Sequence, residues 1–514
     1  MPEWNWITGH LLIFQRYISK RPSDAFISVS IADMAREMPT ELFYLDLWPF
    51  LNPAIIVSSP EAANQASTTL NLPKAKLIRD LVDPVTGGPN MLTTDGKEWK
   101  SARSLFNPGF APQYMLGQVP VILDSIEIFC DHLRKRATGK VFPLEELATR
   151  LTMDIIMKVA MDIDLNYQRQ SHPLADALRK MISWCNFGNP FYAFHPIRPL
   201  AIKYYGNIMD KIIIKELDKR VDEYKQGRRD AALGSVKDTK SKSVMALALE
   251  SYLADKGENA KLDNRFKAFA SNQARLFLFA GHDTTTSVLV YTFHMLHKHP
   301  EVRARVCEEH NQVFGSDPNV AVSKLRASPA LLNQIPYTTA VIKETMRFYP
   351  PSGAMREGIP GAYLTDHNGT QYPTDGFFIS QLHLTIHTNP RVWARPKEFL
   401  PERWIVDSDH PLHVPPHAFR VFELGPRNCI GQTLSMVELR VALVMTARTL
   451  RIRPAYEEWD AMKKEGFLAG VFKKVGMGSN EKKEIDGDRA YMVEKGAAHP
   501  AQEYPCVVEL LDRV

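Results

Sequence analysis

One cysteine near the C-terminal end constrains this chain more than any other feature. Cys429 lies in the stretch Phe422-Glu-Leu-Gly-Pro-Arg-Asn-Cys-Ile-Gly431, and the apolar-periodic segment 432–448 that follows predicts a helix. A cysteine at a helix N-terminus meets unpaired backbone N–H groups and the positive end of the helix dipole, which favour a thiolate. Gly425 and Gly431 let the backbone approach closely, and Arg427 adds positive charge. Together these features favour a metal-ligating thiolate over a buried structural cysteine, which is the commoner role of a lone cysteine.

The bulk composition is that of an ordinary globular protein. The chain has 514 residues, of which 45% are hydrophobic and 24% charged, with a net charge of +5. That charge is mild, and no arginine-rich run or zinc-finger spacing accompanies it, so the sequence predicts no nucleic-acid partner. The five cysteines are scattered and odd in number, which indicates a reducing compartment rather than a disulfide framework.

Hydrophobic periodicity predicts a small strand-rich start followed by a long helical region. A helix over 24–37 precedes strands over 41–48 and 54–58, and Ser59-Pro60 begins another helix. Charged or poorly periodic stretches at 225–242 and 473–487 predict loops, and the chain ends in a strand meander. The longest helical segments are expected at 113–135, 144–162, 173–185, 198–226, 242–255 and 262–298.

A polar interruption marks the middle of the last of these helices. Ala280-Gly-His-Asp283-Thr284-Thr-Thr-Ser287 stands inside a strongly apolar run. A threonine hydroxyl can bond the carbonyl one turn back, and Gly281 opens space there, so a groove carrying an acid and an alcohol is expected. A bare Asp-Thr pair is more often the polar face of an exposed helix, but these apolar surroundings favour a buried functional site.

Several weaker patterns gain meaning only together. Glu344 and Arg347 share a helix face before Pro350-Pro351, although most such pairs are solvated surface charge. Pro401-Glu-Arg403-Trp404 follows downstream, and Trp99-Lys-Ser-Ala-Arg103 and Arg356 supply further arginines.

The fixed positions of the cysteine stretch resemble the haem-ligand loop of the cytochrome P450 superfamily, F-x-x-G-x-R-x-C-x-G, at every place. Residues 280–285 resemble its [AG]-G-x-[DE]-T-[TS] motif, and the E-x-x-R, P-E-R-[FW] and W-x-x-x-R motifs are matched in the family's order. The resemblance therefore covers essentially the whole chain. It implies a mainly α fold with a smaller β-rich lobe, and one haem domain over 1–514. Its β-rich parts are expected at 1–72, 352–400 and 450–514, and its helical core at 95–350 and 425–450.

The resemblance also implies roles for individual residues. Cys429 would be the axial ligand of the iron of haem b, and Asp283 and Thr284 would relay protons and assist dioxygen activation. Glu344, Arg347 and Arg403 would form a buried structural triad behind the haem loop. The remaining haem contacts would be Trp99, Arg103, Ala280, Arg356, Phe422, Arg427 and Gly431.

The activity implied is a monooxygenase that inserts one atom of O2 into an apolar organic molecule, a polyketide- or terpenoid-like fungal secondary metabolite. The segments expected to face that substrate are 76–92, 274–286, 351–356 and 494–502. A peroxygenase or a haem-thiolate isomerase or dehydratase is the alternative within this chemistry, and a non-catalytic haem sensor or carrier is the alternative outside it.

The family's partners are implied in the same way. Electrons would come from NADPH through a separate cytochrome P450 reductase, with cytochrome b5 as a further donor, docking on Lys97, Lys100, Arg103 and Arg420. The protein would be a monomer at the cytosolic face of the endoplasmic reticulum. The N-terminus has too short an apolar run to span a bilayer, so a missing anchor or peripheral contact is expected, the latter through the aromatic and basic segment 184–200.

Overall fold

The computed structural model describes residues 2–49, 52–185, 195–232, 242–254, 262–465 and 483–511. Helices make up most of it, as predicted. In chain order the helices are α1 (Leu11–Ile18), α2 (Ile27–Glu37), α3 (Pro60–Asn64), α4 (Lys76–Thr86), α5 (Gly96–Phe106), α6 (Pro112–Leu116), α7 (Val119–Arg136), α8 (Leu144–Met161), α9 (Pro173–Trp184), α10 (Arg198–Ala232), α11 (Val244–Leu253), α12 (Asn264–Lys298), α13 (Pro300–Phe314), α14 (Val320–Ala327), α15 (Pro336–Phe348), α16 (His383–His387), α17 (Gln432–Thr446) and α18 (Tyr456–Glu465).

The strands form small sheets at the margin of the helices. They are β1 (Leu42–Leu45), β2 (Ala54–Val57), β3 (Phe142–Pro143), β4 (Ala354–Glu357), β5 (Tyr363–Thr365), β6 (Gln371–Pro373), β7 (Phe378–Gln381), β8 (Leu450–Pro454), β9 (Met492–Glu494), β10 (Ala498–Pro500) and β11 (Pro505–Leu510). The largest sheet has the order β1-β2-β7-β4, in which β2 and β7 are parallel and the other pairs antiparallel. A second sheet has the order β3-β11-β8, and β5-β6 and β9-β10 are hairpins.

Local signals set several boundaries of these elements. Ser59 Oγ accepts a hydrogen bond from the Ala62 backbone N–H, so the predicted helix start at Ser59-Pro60 is confirmed. The Asp263 carboxylate accepts a bond of 2.7 Å from the Phe266 N–H and begins α12. Proline stands at the first position of α15, and Pro350 follows the end of that helix.

The core is built around α12, which is buried along most of its length. It packs against α8 and also contacts α4, α10, α15 and α17. Because α12 is apolar nearly all round, it has to be covered by neighbours on several sides. One large cluster of buried side chains joins these helices, and smaller clusters lie beneath the sheet of β1, β2, β4 and β7.

The structure corrects some of the predicted elements. The segment 113–135 holds two helices, α6 and α7, rather than one, and β3 lies inside the stretch predicted to be helical. Helix α10 continues to Ala232, where the charged composition had predicted a loop. A helix that faces solvent needs no apolar periodicity, so the pattern gave no signal there. Residues 233–241 and 466–482 lie outside the described residues. None of the described helices combines the length and apolarity needed to cross a bilayer.

Candidate active site

A cavity lies between α12 and the loop that precedes α17. Its volume is about 290 Å³, counted as the space open to the centre of a water-sized sphere. A single water needs roughly 10–15 Å³ by the same measure, so the cavity can hold a large organic ligand. Much of its wall is apolar. Elements before α12, α12 itself and elements after it all contribute apolar side chains, among them Met91, Phe110, Ile156, Leu276, Phe277, Val288, Met346, Val421 and Leu434.

The sulfur of Cys429 opens into this cavity three residues before α17 begins. The Cys429 backbone N–H donates to the Phe422 carbonyl at 2.8 Å and closes the loop. Burial raises the pKa of the Cys429 thiol, while the N–H groups of Gly431 and Gln432 and the charge of Arg103 act against that rise. Burial therefore favours the protonated thiol more strongly than the helix N-terminus favours the thiolate. A bound metal cation is what deprotonates a coordinating thiol outright.

The two glycines of the loop serve different purposes. Gly425 has a φ of +77°, and a Cβ there would lie 2.7 Å from Thr68 Oγ1, so this position needs glycine for both its conformation and its close approach to residues 65–69. Gly431 has an ordinary φ, and a Cβ there would meet only the Cys429 sulfur, at 3.9 Å. Its missing side chain keeps the cavity open beside the sulfur.

Arg103, Arg427 and Trp99 line the cavity together. Arg103 donates to the Asn428 carbonyl at 2.7 Å and to its side-chain oxygen at 2.9 Å, which ties α5 to the cysteine loop. The Arg427 guanidinium lies 4.7 Å from the centre of the Trp99 ring and pairs with Asp95. The structure therefore brings together these three side chains of the predicted set, with Phe422 and Ala280 also on the cavity wall.

Further polar residues that the sequence did not single out line the cavity, among them Lys74, His383 and Glu423. Burial, followed by the charge of Arg356, lowers the pKa of Lys74 to about 7. No sequence motif contains Lys74. It reaches the cavity through an isolated β-bridge to Arg356 in β4, which is far from Lys74 in the chain.

Arg356 itself is fully buried and is not part of the cavity wall. One of its guanidinium nitrogens lies 3.6 Å from Glu423, which does line the cavity, and another donates to the Leu72 carbonyl. Arg356 therefore lies one residue behind the cavity wall, and its direct contact with haem stays a prediction.

The predicted acid and alcohol take different directions from α12. Thr284 lines the cavity, and its hydroxyl donates to the Ala280 carbonyl at 3.0 Å, the bond one turn back that its residue type predicts. Asp283 does not line the cavity, since its carboxylate accepts hydrogen bonds from Ala497 and His499 on the β9–β10 side. Helix α12 is unbroken at Gly281, where a Cβ would lie 2.6 Å from Ile156, so this glycine serves close packing against α8.

Glu344, Arg347 and Arg403 meet in a closed cluster, with side chains 0–1% exposed. Glu344 accepts bonds from Arg347 at 2.9 and 3.0 Å, from Arg403 at 3.0 Å and from Trp404 at 3.0 Å. Arg347 also donates to the carbonyl of His387, whose ring accepts from the Arg420 N–H near the start of the cysteine loop.

Two expectations about surfaces change. Lys97 and Lys100 are exposed and Arg103 is partly exposed, but Arg420 is fully buried against Glu423, Ser67 and Gln381 and cannot dock a partner. The aromatic segment 184–200 falls largely on residues 186–194, outside the described residues. Of the segments expected to face substrate, 494–502 contributes nothing to the described cavity wall, whereas 91–92, 276–285 and 351–354 do.

Comparison with known proteins agrees with this architecture. The profile of the Cytochrome P450 family matches residues 2–474. The chain is 36% identical to cytochrome P450 monooxygenase polC of Polytolypa hystricis, over 99% of this chain and 89% of that protein. It is 32% identical to cytochrome P450 monooxygenase acrF of Aspergillus aculeatus, over 95% of this chain and 98% of that protein. The crystal structure of the cytochrome P450DA heme domain superposes with a TM-score of 0.74 at 18% identity, covering 100% of this chain and 97% of that one.

The chain therefore belongs to the cytochrome P450 family and is a monooxygenase of that family. Membership and fold imply a haem-thiolate cofactor. The cavity fits such a group on three counts: it has a single accessible thiol, a floor that Gly431 leaves open, and Lys74, Arg103 and Arg427 on its wall.

Proposed function

We propose that the cavity binds haem b with Cys429 Sγ as the axial iron ligand, and that the protein inserts one atom of O2 into an apolar organic substrate. The observation that carries this proposal is that the one cysteine opening into the cavity shares its wall with Thr284 and with three cationic side chains. The other described cysteines are buried or half-buried, whereas Cys429 is exposed at the cavity wall, which suits a metal ligand better than a packing residue.

Lys74, Arg103 and Arg427 are the side chains proposed to neutralise the haem propionates, since buried carboxylates without partners are costly. Arg103 is fixed by Asn428 and Arg427 by Asp95, so both guanidinium groups are held in place by the cysteine loop and α5 before any ligand arrives. Trp99 packs against Arg427 and limits its movement.

Bound haem would supply the iron chemistry that activates dioxygen and oxidises a C–H bond. The chain's own contribution would be an alcohol at the cavity wall and, on the adjoining residue, a carboxyl group that serves as proton source when it turns toward the cavity. Thr284 presents its hydroxyl from α12 at the cavity wall, and Asp283, the preceding residue, holds the carboxylate that carries the proton.

The substrate is proposed to be a polyketide- or terpenoid-like secondary metabolite, because apolar side chains from several elements form the wall. Screening such metabolites for a substrate-induced spin shift of the haem would identify it. A shift without turnover in the presence of a reductase would favour a sensor or carrier instead.

Electrons are proposed to come from NADPH through a separate cytochrome P450 reductase, with cytochrome b5 as a second donor. Lys97 and Lys100 are exposed on α5 beside Arg103, which touches the cysteine loop, so an acidic partner docked there would lie close to the haem. Reversing both lysine charges should slow reduction of the haem by reductase, most strongly at low salt. An unaltered rate would remove this face from the proposal.

Peripheral contact with the endoplasmic reticulum is proposed to use the N-terminal segment, with the protein a monomer. Trp4, Trp6, Ile7, Leu12 and Trp48 are all more than half exposed, and aromatic side chains suit the interfacial region of a bilayer. Co-flotation with phospholipid vesicles should weaken when Trp4 and Trp6 are replaced by serine. Flotation that does not depend on these residues would contradict this placement.

The central assignment is tested by replacing Cys429 with alanine. The native ferrous protein should bind carbon monoxide with the red-shifted Soret band of a thiolate-ligated haem, and the variant should lack that band. Product formation should require NADPH, reductase and O2 together. If peroxide alone supported the native rate, a peroxygenase would be the better description, and survival of the band in the variant would exclude Cys429 as the ligand.

A further inference from the structure

Asp283 is tied to the C-terminal hairpin rather than to the cavity it is expected to serve. Its two carboxylate oxygens accept a bond of 2.6 Å from the Ala497 N–H and one of 2.9 Å from His499 Nε2. Since both oxygens are occupied on the hairpin side, any proton that Asp283 carries has to come from the groups bonded to it. Ala497 offers only a backbone amide, which leaves His499.

His499 continues into a row of charged side chains that reaches the surface. Its Nδ1 lies 3.5 Å from Glu145 Oε1 at the start of α8, and Lys495 Nζ lies 3.1 Å from the same oxygen. Lys495 also pairs with Glu503 at 3.3 Å. Side-chain exposure rises step by step along this row, from 2% at His499 and 10% at Glu145 to 36% at Lys495 and 51% at Glu503.

We propose that Glu145 and His499 form a proton path from solvent at Lys495 and Glu503 to Asp283. This inference rests on the proposed function and specifies how the active-site acid is recharged. His499 is a positioning and relay residue, because it acts on the reaction only through Asp283.

The transfer balances without any further reactant. With His499 starting as an imidazolium and Glu145 as a carboxylate, the Nε2 proton moves to Asp283 Oδ1 and leaves a neutral His499 that keeps its Nδ1 proton. Half a turn of the ring then presents the bare nitrogen to Glu145, which passes on a proton taken from solvent beside Lys495 and restores the imidazolium. No electrons move, and the net change is one proton taken from water and one held at Asp283.

The same transfer also explains how a carboxyl turned away from the cavity can serve it. Burial disfavours charge on His499, but the carboxylates of Glu145 and Asp283 outweigh it and raise the His499 pKa. The raised His499 pKa and the 2.9 Å contact favour an imidazolium paired with the Asp283 carboxylate at rest. Moving the proton neutralises both, which weakens the pair and leaves the Asp283 carboxyl freer to turn toward Thr284. The other titratable group near Asp283 is His282, whose Nε2 lies 4.0 Å away.

A purely structural role is the alternative, and the chain provides a matched control for it. His294 lies three turns further along α12, and its Nε2 pairs with Asp488 of the C-terminal region at 2.8 Å. That pair is likewise buried and joined by a lysine, Lys298, but it does not contact Asp283. A variant at His294 therefore reports what loss of such a pair does to folding alone.

The experiment compares His499→Gln, Glu145→Gln and His294→Gln in the haem-loaded protein. Glutamine keeps a donor near the Nε2 position but cannot relay a proton. With NADPH and reductase, His499→Gln and Glu145→Gln should slow NADPH oxidation about tenfold and enlarge its solvent deuterium isotope effect, while His294→Gln changes neither. Peroxide-driven oxidation of guaiacol, in which the oxidant brings its own protons, should be spared in all three.

A measurement independent of turnover uses [13C]histidine NMR of the diamagnetic ferrous carbon monoxide complex. The His499 signal is assigned by its loss in His499→Gln. The pKa that this signal reports should lie above the usual histidine range, and Glu145→Gln should lower that pKa.

The relay would be overturned if folded His499→Gln oxidised NADPH at the native rate with the native isotope effect. A His499 pKa within the usual histidine range would overturn it too. Failure of the proposed function looks different, because the native protein itself would then lack the thiolate carbon monoxide band.

Discussion

Two clusters of buried charge flank the cysteine loop, and they differ in how completely they are satisfied. The brace consists of Glu344, Arg347, Arg403 and Trp404. The cation cluster consists of Lys74, Arg356, His383, Arg420 and Glu423. Both bury arginine against glutamate at the edge of the same loop, so composition does not distinguish them.

In the brace, the charged side chains form hydrogen bonds with nearly all of their donor and acceptor atoms. The Glu344 oxygens accept hydrogen bonds from Arg347, Arg403 and Trp404. Arg347 also donates to the backbone carbonyls of His387, Pro396 and Glu398. Such a closed network has no capacity left for a ligand.

In the cation cluster, donors remain. Among the described residues, Arg356 Nε, Arg420 Nη1 and His383 Nδ1 are buried without a hydrogen-bond partner, and Arg356 Nη2 and His383 Nε2 have only longer contacts with Glu423, of 3.6 and 3.5 Å. Lys74, His383 and Glu423 face the cavity. Buried donors that lack acceptors are costly, and an anionic ligand in the cavity would supply acceptors to the two basic side chains of the cluster that reach it, Lys74 and His383. The brace is thus closed, whereas the cation cluster keeps hydrogen-bonding capacity beside the cavity.

The largest effect is expected from opening the brace. Glu344→Gln keeps the shape of the side chain but leaves two arginines buried without a counter-charge, which should lower the free energy of unfolding by about 3–5 kcal/mol. Urea denaturation followed by circular dichroism measures this.

The matched control for Glu344 is Asp131→Asn, which removes the carboxylate of an exposed i, i+3 pair with Arg134 and should change little. If Glu344→Gln and Asp131→Asn were equally mild, the brace would not be a stabilising network.

The cation cluster should respond in the opposite way. Lys74→Met removes a desolvated ammonium group, so the haem-free protein should be as stable as the native one or more stable. Haem affinity should fall about 10- to 100-fold, because a charged hydrogen bond to a propionate is lost. Denaturation of the haem-free protein and transfer of haem to an excess of a scavenging protein give the two values.

If Lys74→Met lowered both the stability of the haem-free protein and the haem affinity, Lys74 would be a stabilising residue like those of the brace. Lys100→Met provides the control, since Lys100 is an exposed lysine on α5 near the same region and should leave both quantities unchanged.

Most of the fold followed from the sequence because its signals are local. Strands β1 and β2, the helix start at Ser59 and the long helices α8, α9 and α12 lie within a few residues of their predicted bounds, since periodicity and capping act over short distances. The end of α10 carried no such signal. Cys429 and Thr284 stand in contiguous motifs, so the residues beside them in the chain were enough to single out both, and both line the cavity.

What the sequence could not supply were contacts between distant segments. Lys74 reaches the cavity through its bridge to Arg356, and Asp283 meets His499 across 216 positions of the chain. The burial of Arg420 likewise depends on Ser67 and Gln381, which come from other elements. No local pattern encodes such pairings. Charge therefore assigned Arg420 to the surface, and the apolar surroundings and motif of Asp283 assigned it to the cavity.

The smallest predicted effect separates the two clusters by pH. In the haem-free protein burial lowers the Lys74 pKa to about 7, and a propionate beside it would raise that pKa again. Haem binding would therefore take up a proton above pH 7, and the affinity contributed by Lys74 should fall as pH rises, by up to about tenfold per pH unit. Below pH 7 the ammonium is already formed, so this contribution should be constant.

Cys429 loses its own proton on binding iron, which gives an opposing pH dependence in every variant. The informative quantity is consequently the ratio of native to Lys74→Met haem affinity between pH 6 and pH 9, in which the Cys429 contribution cancels. That ratio should be flat to pH 7 and then decline. The corresponding ratio for Arg403→Lys, a change within the brace, should show no such decline, because the brace has no group that titrates against the ligand. A flat Lys74 ratio over the whole range would mean that Lys74 does not contact the bound propionates.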